Sequence, residues 1–306
     1  MVEKLACCSK AWINRGLECF EAGADRFLKL ADGRKLCFAE FGANDGFPVI
    51  ALHGTPGSRL MHALGHDDAG ELGLRIISPD RWGYGGSDVH PRPSLSAYAK
   101  DVEALANRLN VNEFALVGIS GGAPFAAATA AVMKKRVARL ALVSPMGPIT
   151  PASDMRIFQH LCFRLLPRIP GGPTALFWFY RLLLFIDANV ALAIAAVAAV
   201  RVDQELIRTP QYGDHLMQTF RAGLMPGAAG PATDLKLFSR PWDISLKSIE
   251  APTRVWLGTE DRNVPQAAAR RIATEVPFAQ LTLLDRQGHF WISRGYTEVL
   301  SWLAKR

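Results

Sequence analysis

The chain has 306 residues, 49% hydrophobic and 21% charged, a balance that suits a globular protein with a sizeable core, built as one large α/β domain or two smaller ones. Its formal net charge is +7, but the lysines and arginines are scattered, without the dense basic runs and interleaved aromatics of a nucleic-acid binder, so no nucleic-acid partner is expected. The cysteines are Cys7, Cys8, Cys19, Cys37 and Cys162, an odd set that matches neither a disulfide framework nor a metal pattern; with no cationic and apolar leader, a reducing cytoplasm is the expected setting.

In chain order, a helix-like stretch, "KAWINRGLECFEAG", precedes two β-type runs, "RFLKLA" and "KLCFAEFG", which the turn pair Asp32-Gly33 joins into a hairpin. Apolar strands then alternate with helices: "PVIALHG", a helix from about Ser58, "LRIISPD", a helix around "SAYAKDVEALANRL", "FALVGIS", a helix from Gly121, and "VARLALVSP". Continuous apolar strands alternating with helices predict an α/β fold, a mostly parallel twisted sheet with helices on both faces. The alternation stops near Met146, and a helical block rich in Leu, Ala, Phe and Arg runs to about Gly230, punctuated by "PRIPGGP" and "MPGAAGP". It then resumes with "TRVWLGTED", a helix from Pro265, "AQLTLLDRQGH" and a last helix through "TEVLSWLAKR". The expected organisation is an N-terminal helical extension over 1–25, a core from 26–146 and 231–306, and an inserted helical lid over 147–230 at the sheet's carboxyl edge.

One stretch of that lid, "LLLFIDANVALAIAAVAAV" (182–200), has the length of a membrane span. Asp187 and Asn189 interrupt it, and a charge in hydrocarbon is costly, so the reading favours two apolar helices, with Asp187 ending the first and capping the second. Membrane association is not favoured; were the longer segment 174–200 an interfacial anchor, a charge at Leu183 or Leu192 is the expected way to abolish it.

The chemistry centres on Gly118-Ile119-Ser120-Gly121-Gly122, a G-x-S-x-G pattern between a strand and a helix. A sharp strand-to-helix turn holds a serine in a strained conformation with its hydroxyl above the sheet, and Gly118 and Gly122 are small enough for strand and helix to pass closely. Gly121 offers an unencumbered N–H. A serine hydroxyl needs a base, and the base needs an acid that fixes its tautomer. Of seven histidines, His289 follows a strand through Arg286-Gln287-Gly288 and precedes the last helix, on the same edge as Ser120. "VWLGTEDRNVP" supplies the acid, with Asp261 preferred to Glu260. The other histidines, His62, His66, His90, His160 and His215, are expected on helix or lid surfaces, and no His/Cys/Asp cluster suggests a metal. Gly83, Gly85 and Gly86 lack a following Lys-Ser/Thr and read as a tight turn rather than a phosphate loop.

With the order Ser120, Asp261, His289, the chain from about residue 26 onward resembles the α/β-hydrolase superfamily, in particular its lidded, esterase-like serine hydrolases. "LHGTPGS" resembles that family's oxyanion loop, "SPDRWGYGGSD" its D-x-P-G-x-G-x-S turn with Trp82 in the place of proline, and "GTEDRNVP" and "GHF" its acid and histidine loops. The resemblance implies that the backbone N–H groups of Thr55 and Gly121 form the oxyanion hole, supported by His53, Gly54, Gly118 and Gly122, with Thr55 narrowing the acyl side of the pocket. It further implies acyl transfer, since relatives that open epoxides or displace halides carry aspartate at the elbow; "LVSPMG" offers no carboxylate for the alternative acid position. The expected protein is a serine hydrolase, without cofactor or metal, that cleaves a small carboxylic ester with a hydrophobic moiety through an acyl-enzyme. A membrane-associated lipase or lysophospholipase, a thioester, amide or C–C bond hydrolase, and a non-catalytic small-molecule receptor on the same fold stay open. Oligomeric state is not set by the sequence.

Overall fold

The structure, a computed structural model, describes residues 22–150, 155–197 and 199–305. Nearly all of the stretch expected as an N-terminal helix lies outside the described residues, as do Cys7, Cys8 and Cys19.

The Asp32-Gly33 turn joins β1 (Arg26–Lys29) to β2 (Lys35–Gly42) in an antiparallel hairpin, after which β3 (Phe47–Leu52) begins the parallel part of the sheet. Ser58 caps a short 3-10 segment that leads into α1 (His66–Glu71), its hydroxyl accepting the Leu60 N–H. β4 (Leu74–Pro79) follows, then α2 (Leu95–Arg108), whose buried Leu95, Tyr98, Val102 and Leu105 recur at helical spacing. β5 (Phe114–Ile119) is buried at every position, as its unbroken apolar run requires, and feeds the alanine-rich α3 (Ala123–Met133) and β6 (Val137–Val143).

Helices occupy most of the connection from β6 to the next strand: α4 (Ile157–His160), α5 (Gly172–Ile186), α6 (Ala188–Val197), α7 (Arg201–Ile207), α8 (Pro210–Leu224) and α9 (Ala229–Phe238). They build a core of their own from Leu184, Leu206, Leu216, Phe220 and Leu224. Asp187 separates α5 from α6, and its carboxylate accepts the Asn189 N–H at 2.9 Å, an N-cap contact of the kind expected there. Among the described residues no helix is long and apolar enough to cross a membrane. α9 runs through the expected lid boundary at residue 230 and packs down onto the sheet's helices through Phe238. The chain closes with β7 (Thr253–Gly258), α10 (Gln266–Glu275), β8 (Ala279–Leu284) and α11 (Ile292–Ala304).

The eight strands lie in the order β1-β2-β4-β3-β5-β6-β7-β8, antiparallel over the first two pairings and parallel thereafter. α2, α3 and α10 bury one face, and α1 and α11 the other. The chain moves from β3 to β4 on one side and then crosses to β5 on the other, which makes the β3–β5 crevice a topological switch point, where open α/β sheets bind ligands.

Candidate active site

Three predicted residues meet at the carboxyl edge. Ser120, directly after β5, has φ 52°, in the left-handed region that a serine occupies only under constraint. The constraint is packing: a Cβ on Gly122 would lie 2.2 Å from the Leu52 carbonyl oxygen, and one on Gly118 would lie 2.7 Å from Ala126 Cβ. Strand and helix therefore pass at backbone contact, and the turn between them lifts the hydroxyl. Ser120 Oγ lies 3.0 Å from His289 Nε2, and His289 Nδ1 lies 2.8 Å from Asp261 Oδ2. With Nδ1 protonated and donating to Asp261, Nε2 is free to accept the serine proton. The other Asp261 oxygen accepts the N–H groups of Asn263 (2.9 Å) and Val264 (3.3 Å), whereas the neighbouring Glu260 is exposed. Burial by itself lowers the His289 pKa, but the Asp261 charge and hydrogen bond, aided by the Asp203 charge, outweigh it and raise the pKa above the ordinary histidine value.

The β3 and β5 ends are adjacent, with Leu52 paired to Gly118, so Thr55 and Gly121 stand beside Ser120. Among the described residues, neither of their backbone N–H groups has a hydrogen-bond partner in the protein. The loop that carries Thr55 rests on buried polar groups. His53 Nδ1 donates to the Gly54 carbonyl at 2.8 Å, and its Nε2 accepts the Arg81 N–H at 3.0 Å; burial holds its pKa well below the ordinary value, so the ring is neutral. The Arg81 guanidinium donates to the carbonyls of His53 (3.2 Å) and Gly54 (3.0 Å) and pairs with Asp234 of α9 at 2.6 Å. The second Asp234 oxygen accepts the hydroxyls of Thr55 (2.6 Å) and Tyr84 (2.5 Å). The Thr55 hydroxyl is thus committed to this network, and its side chain fills the space beside Gly121, where a Cβ would meet Thr55 Oγ1 at 2.2 Å.

A family model described as alpha/beta hydrolase fold matches residues 48–293, from β3 into α11. The chain belongs to the α/β-hydrolase family. A non-heme chloroperoxidase from Streptomyces lividans is 28% identical over 84% of this chain and 90% of its own length. A 2-hydroxymuconate semialdehyde hydrolase from Pseudomonas putida is also 28% identical, over 84% of this chain and 88% of its own. Among solved structures, a thermophilic esterase from Thermogutta terrifontis superimposes with a TM-score of 0.65 at 22% identity, covering 91% of this chain and 96% of that one.

This α/β-hydrolase carries a residue at its site that sequence reasoning missed. Asp203, from α7 and fully buried, accepts the backbone N–H of His289 at 2.7 Å and of Phe290 at 2.9 Å. Its carboxylate fits because residue 288 is glycine: a Cβ there would sit 2.2 Å from Asp203 Oδ2. Burial pushes the Asp203 pKa up, and the two N–H bonds and His289 only partly oppose it. In sequence Asp203 reads as an ordinary acid in the first turn of a helix, a position that needs no further explanation. Asp203→Asn puts an NH2 against one of the two backbone donors, so a destabilisation of about 1–3 kcal/mol is expected in thermal or denaturant unfolding. Removing this negative charge also lowers the His289 pKa, so the acidic limb of any His289-dependent activity is expected to move to lower pH.

Two histidines are not where the sequence reading expected them. His62 is fully buried, with Nδ1 2.5 Å from the Tyr296 hydroxyl, and burial pulls its pKa down to about 3. His215 stands in the cavity wall, its Nε2 3.2 Å from the Met61 carbonyl. Each lies on a helical segment that packs inward on that side. Trp82, in the place of the motif's proline, is buried, with its Nε1–H donating to Asp101 at 2.6 Å and its ring stacked on His90. Among the described residues no group of three or more His, Cys, Asp or Glu could hold a metal ion.

Above Ser120 lies a cavity of about 90 Å³. Met61, Leu64, Ile119, Leu216, Phe220 and Phe290 supply apolar wall, and among the described residues no Lys, Arg, Asp or Glu lines it. α8 forms one side, through Tyr212, His215, Leu216, Thr219 and Phe220.

Proposed function

We propose that this α/β-hydrolase is a serine esterase acting on small, neutral carboxylic esters, with Ser120 as nucleophile, His289 as general base and acid, Asp261 as the group that orients and charges the imidazole, and the helical segment 147–230 as a lid. The observation that carries the reading is the hydrogen-bonded line from Ser120 Oγ through His289 to Asp261, 3.0 and 2.8 Å, starting from a serine at φ 52°. As Ser120 Oγ attacks the ester carbonyl, its proton passes to His289 Nε2, and the imidazolium is stabilised by Asp261. The carbonyl oxygen becomes an oxyanion that accepts hydrogen bonds from the Thr55 and Gly121 N–H groups, donors that gain strength only as the charge develops. Collapse of the tetrahedral intermediate expels the alcohol, which takes the proton from Nε2, and leaves an acyl-serine. Water, deprotonated by the same nitrogen, then releases the acid.

The lining supports the choice of substrate. A cavity with no Lys or Arg among the described residues of its wall offers an anionic substrate no countercharge there, and its apolar wall favours a neutral acyl or alcohol group. Its volume has room for about six water-sized groups. Among p-nitrophenyl esters, the butyrate is expected to be cleaved at least about ten-fold more efficiently in kcat/KM than the dodecanoate, whose chain outgrows the cavity. A neutral methyl ester is expected to outperform a hemi-ester of a dicarboxylic acid of the same length. A panel in which long or anionic acyl groups win contradicts the substrate assignment, and one in which no ester is turned over contradicts the reaction. The raised His289 pKa adds a sign: kcat/KM is expected to rise with pH through an apparent pKa above the ordinary histidine value of 6.5, because only the neutral ring can take the proton.

A further inference from the structure

We propose that the outward face of α5 docks this protein onto an anionic lipid surface. α5 is apolar nearly all round, "GPTALFWFYRLLLFI", yet the protein buries only one side of it. On the inner side Tyr180, Leu183 and Leu184 join the cluster of Leu216 and Phe220 on α8. On the outer side Trp178 (49% exposed), Phe179 (59%), Leu182 (54%), Phe185 (40%) and Ile186 (73%) face solvent. Their spacing, i, i+1, i+4, i+7 and i+8, puts all five on one stripe, so they form a continuous patch rather than scattered surface residues. Leu165 and Ile169, 53% and 45% exposed, flank the 3-10 turn (Leu166–Arg168) that packs against α5, and add to the apolar surface of this segment.

Charge selects the occupant. Over residues 155–197 the described chain carries Arg156, Arg164, Arg168 and Arg181 against a single acid, Asp187. Arg181 borders the stripe: its guanidinium carbon lies 5.0 Å from the centre of the Trp178 ring and 4.8 Å from that of Phe185, while its Nε and Nη2 donate to the Leu224 (2.8 Å) and Met225 (3.1 Å) carbonyls. It therefore fixes the edge of the stripe, and the exposed charge next to it is Arg168, between Leu165 and Ile169. A second copy of the chain would bring these arginines towards their own counterparts. An anionic bilayer takes both features together, with the aromatic and aliphatic side chains at the boundary of headgroups and acyl chains and the exposed Arg168 among lipid phosphates, the net positive charge of the segment adding a longer-range attraction. The face involved differs from the one expected in sequence, because Leu183 and Leu192 are partly buried and pack into the lid's own core. Charges placed there would damage folding rather than report on docking. The inner side of α5 rests on α8, and the same α8 residues Leu216 and Phe220 also line the cavity above Ser120, so a docked protein holds its cavity one helix away from the lipid.

The test is co-sedimentation of the full chain with vesicles of phosphatidylcholine alone or mixed equally with phosphatidylglycerol. The wild type is expected to pellet with the mixed vesicles, and its binding to fall about ten-fold with phosphatidylcholine alone or in high salt. Phe179→Asp/Leu182→Asp, at two exposed positions, is expected to lose at least about ten-fold in partition while keeping its melting temperature and circular dichroism. A wild type that stays in the supernatant with the mixed vesicles overturns the proposal, as does a double variant that pellets equally well. A dimer that the double variant dissociates, with no vesicle binding by the wild type, assigns the stripe to a second copy and overturns it too.

Discussion

Ser120→Ala and His289→Ala are each expected to lower kcat for p-nitrophenyl butyrate by about a million-fold, and Asp261→Asn by about ten thousand-fold, with the fold unchanged. On the proposed mechanism the first two losses are equal because nucleophile and base would act as one unit: without Ser120 the imidazole has no hydroxyl to activate, and without His289 the hydroxyl keeps its proton. The double variant is therefore expected to be no worse than either single one. In the same proposal Asp261 acts through the ring, by holding the proton on Nδ1 and by favouring the imidazolium, so its loss is expected to leave part of the machinery working. Removal of Ser120 or His289 is further expected to leave a residual rate of about a thousand-fold over water, supplied by the Thr55 and Gly121 donors and by binding. Undiminished turnover in Ser120→Ala or His289→Ala would contradict the mechanism outright, since neither substitution disturbs the core.

The second large effect is on stability. Arg81→Met is expected to destabilise the fold by about 3–5 kcal/mol, measured as a shift in the denaturant midpoint at constant slope. The Arg81 side chain is 1% exposed and its partner Asp234 3%, so the substitution leaves a carboxylate in the interior with only two hydroxyl donors. It also removes the donors that serve the His53 and Gly54 carbonyls. Those carbonyls belong to the loop that presents Thr55, so any surviving folded enzyme is expected to lose kcat as well as stability. Arg81→Met/Asp234→Leu is expected to recover much of the stability, because removing both charges costs far less than stranding one, but not the loop geometry or the kcat. A single variant as stable as the wild type would mean that the ion pair contributes nothing to holding the loop.

The parts of the site legible in sequence were those that local constraints specify. Gly118 and Gly122 announce the elbow because strand and helix touch at backbone distance, and Ser120 between them is forced to a positive φ. Asp261 and His289 were legible as candidates because each follows a β-type run, and in a parallel sheet such runs end at one edge, where the structure brings the two together with Ser120. Asp203 and Asp234 were not, for a physical reason. Their partners are 86 and 153 residues away along the chain, and a buried acid on a helix looks in sequence like any exposed one. The same blindness explains His62 and His215, and the choice of Leu183 and Leu192 as surface positions. A helix apolar on several sides does not reveal which side packs, and in α5 the more aromatic side, Trp178 and Phe179, is the one left exposed. The helix expected from about Ser58 begins there as a 3-10 segment, Arg59–Gly65, a tighter winding of the first turns that apolar spacing does not encode.

The measurement that bears most directly on the account is reaction of the full chain with a fluorophosphonate, followed by peptide mass mapping. One adduct per chain on Ser120 Oγ is expected, formed at a rate that follows the His289 titration, and absent from Ser120→Ala. An adduct on any other residue, or none under conditions where the fold is intact, would contradict the assignment of Ser120 as the nucleophile.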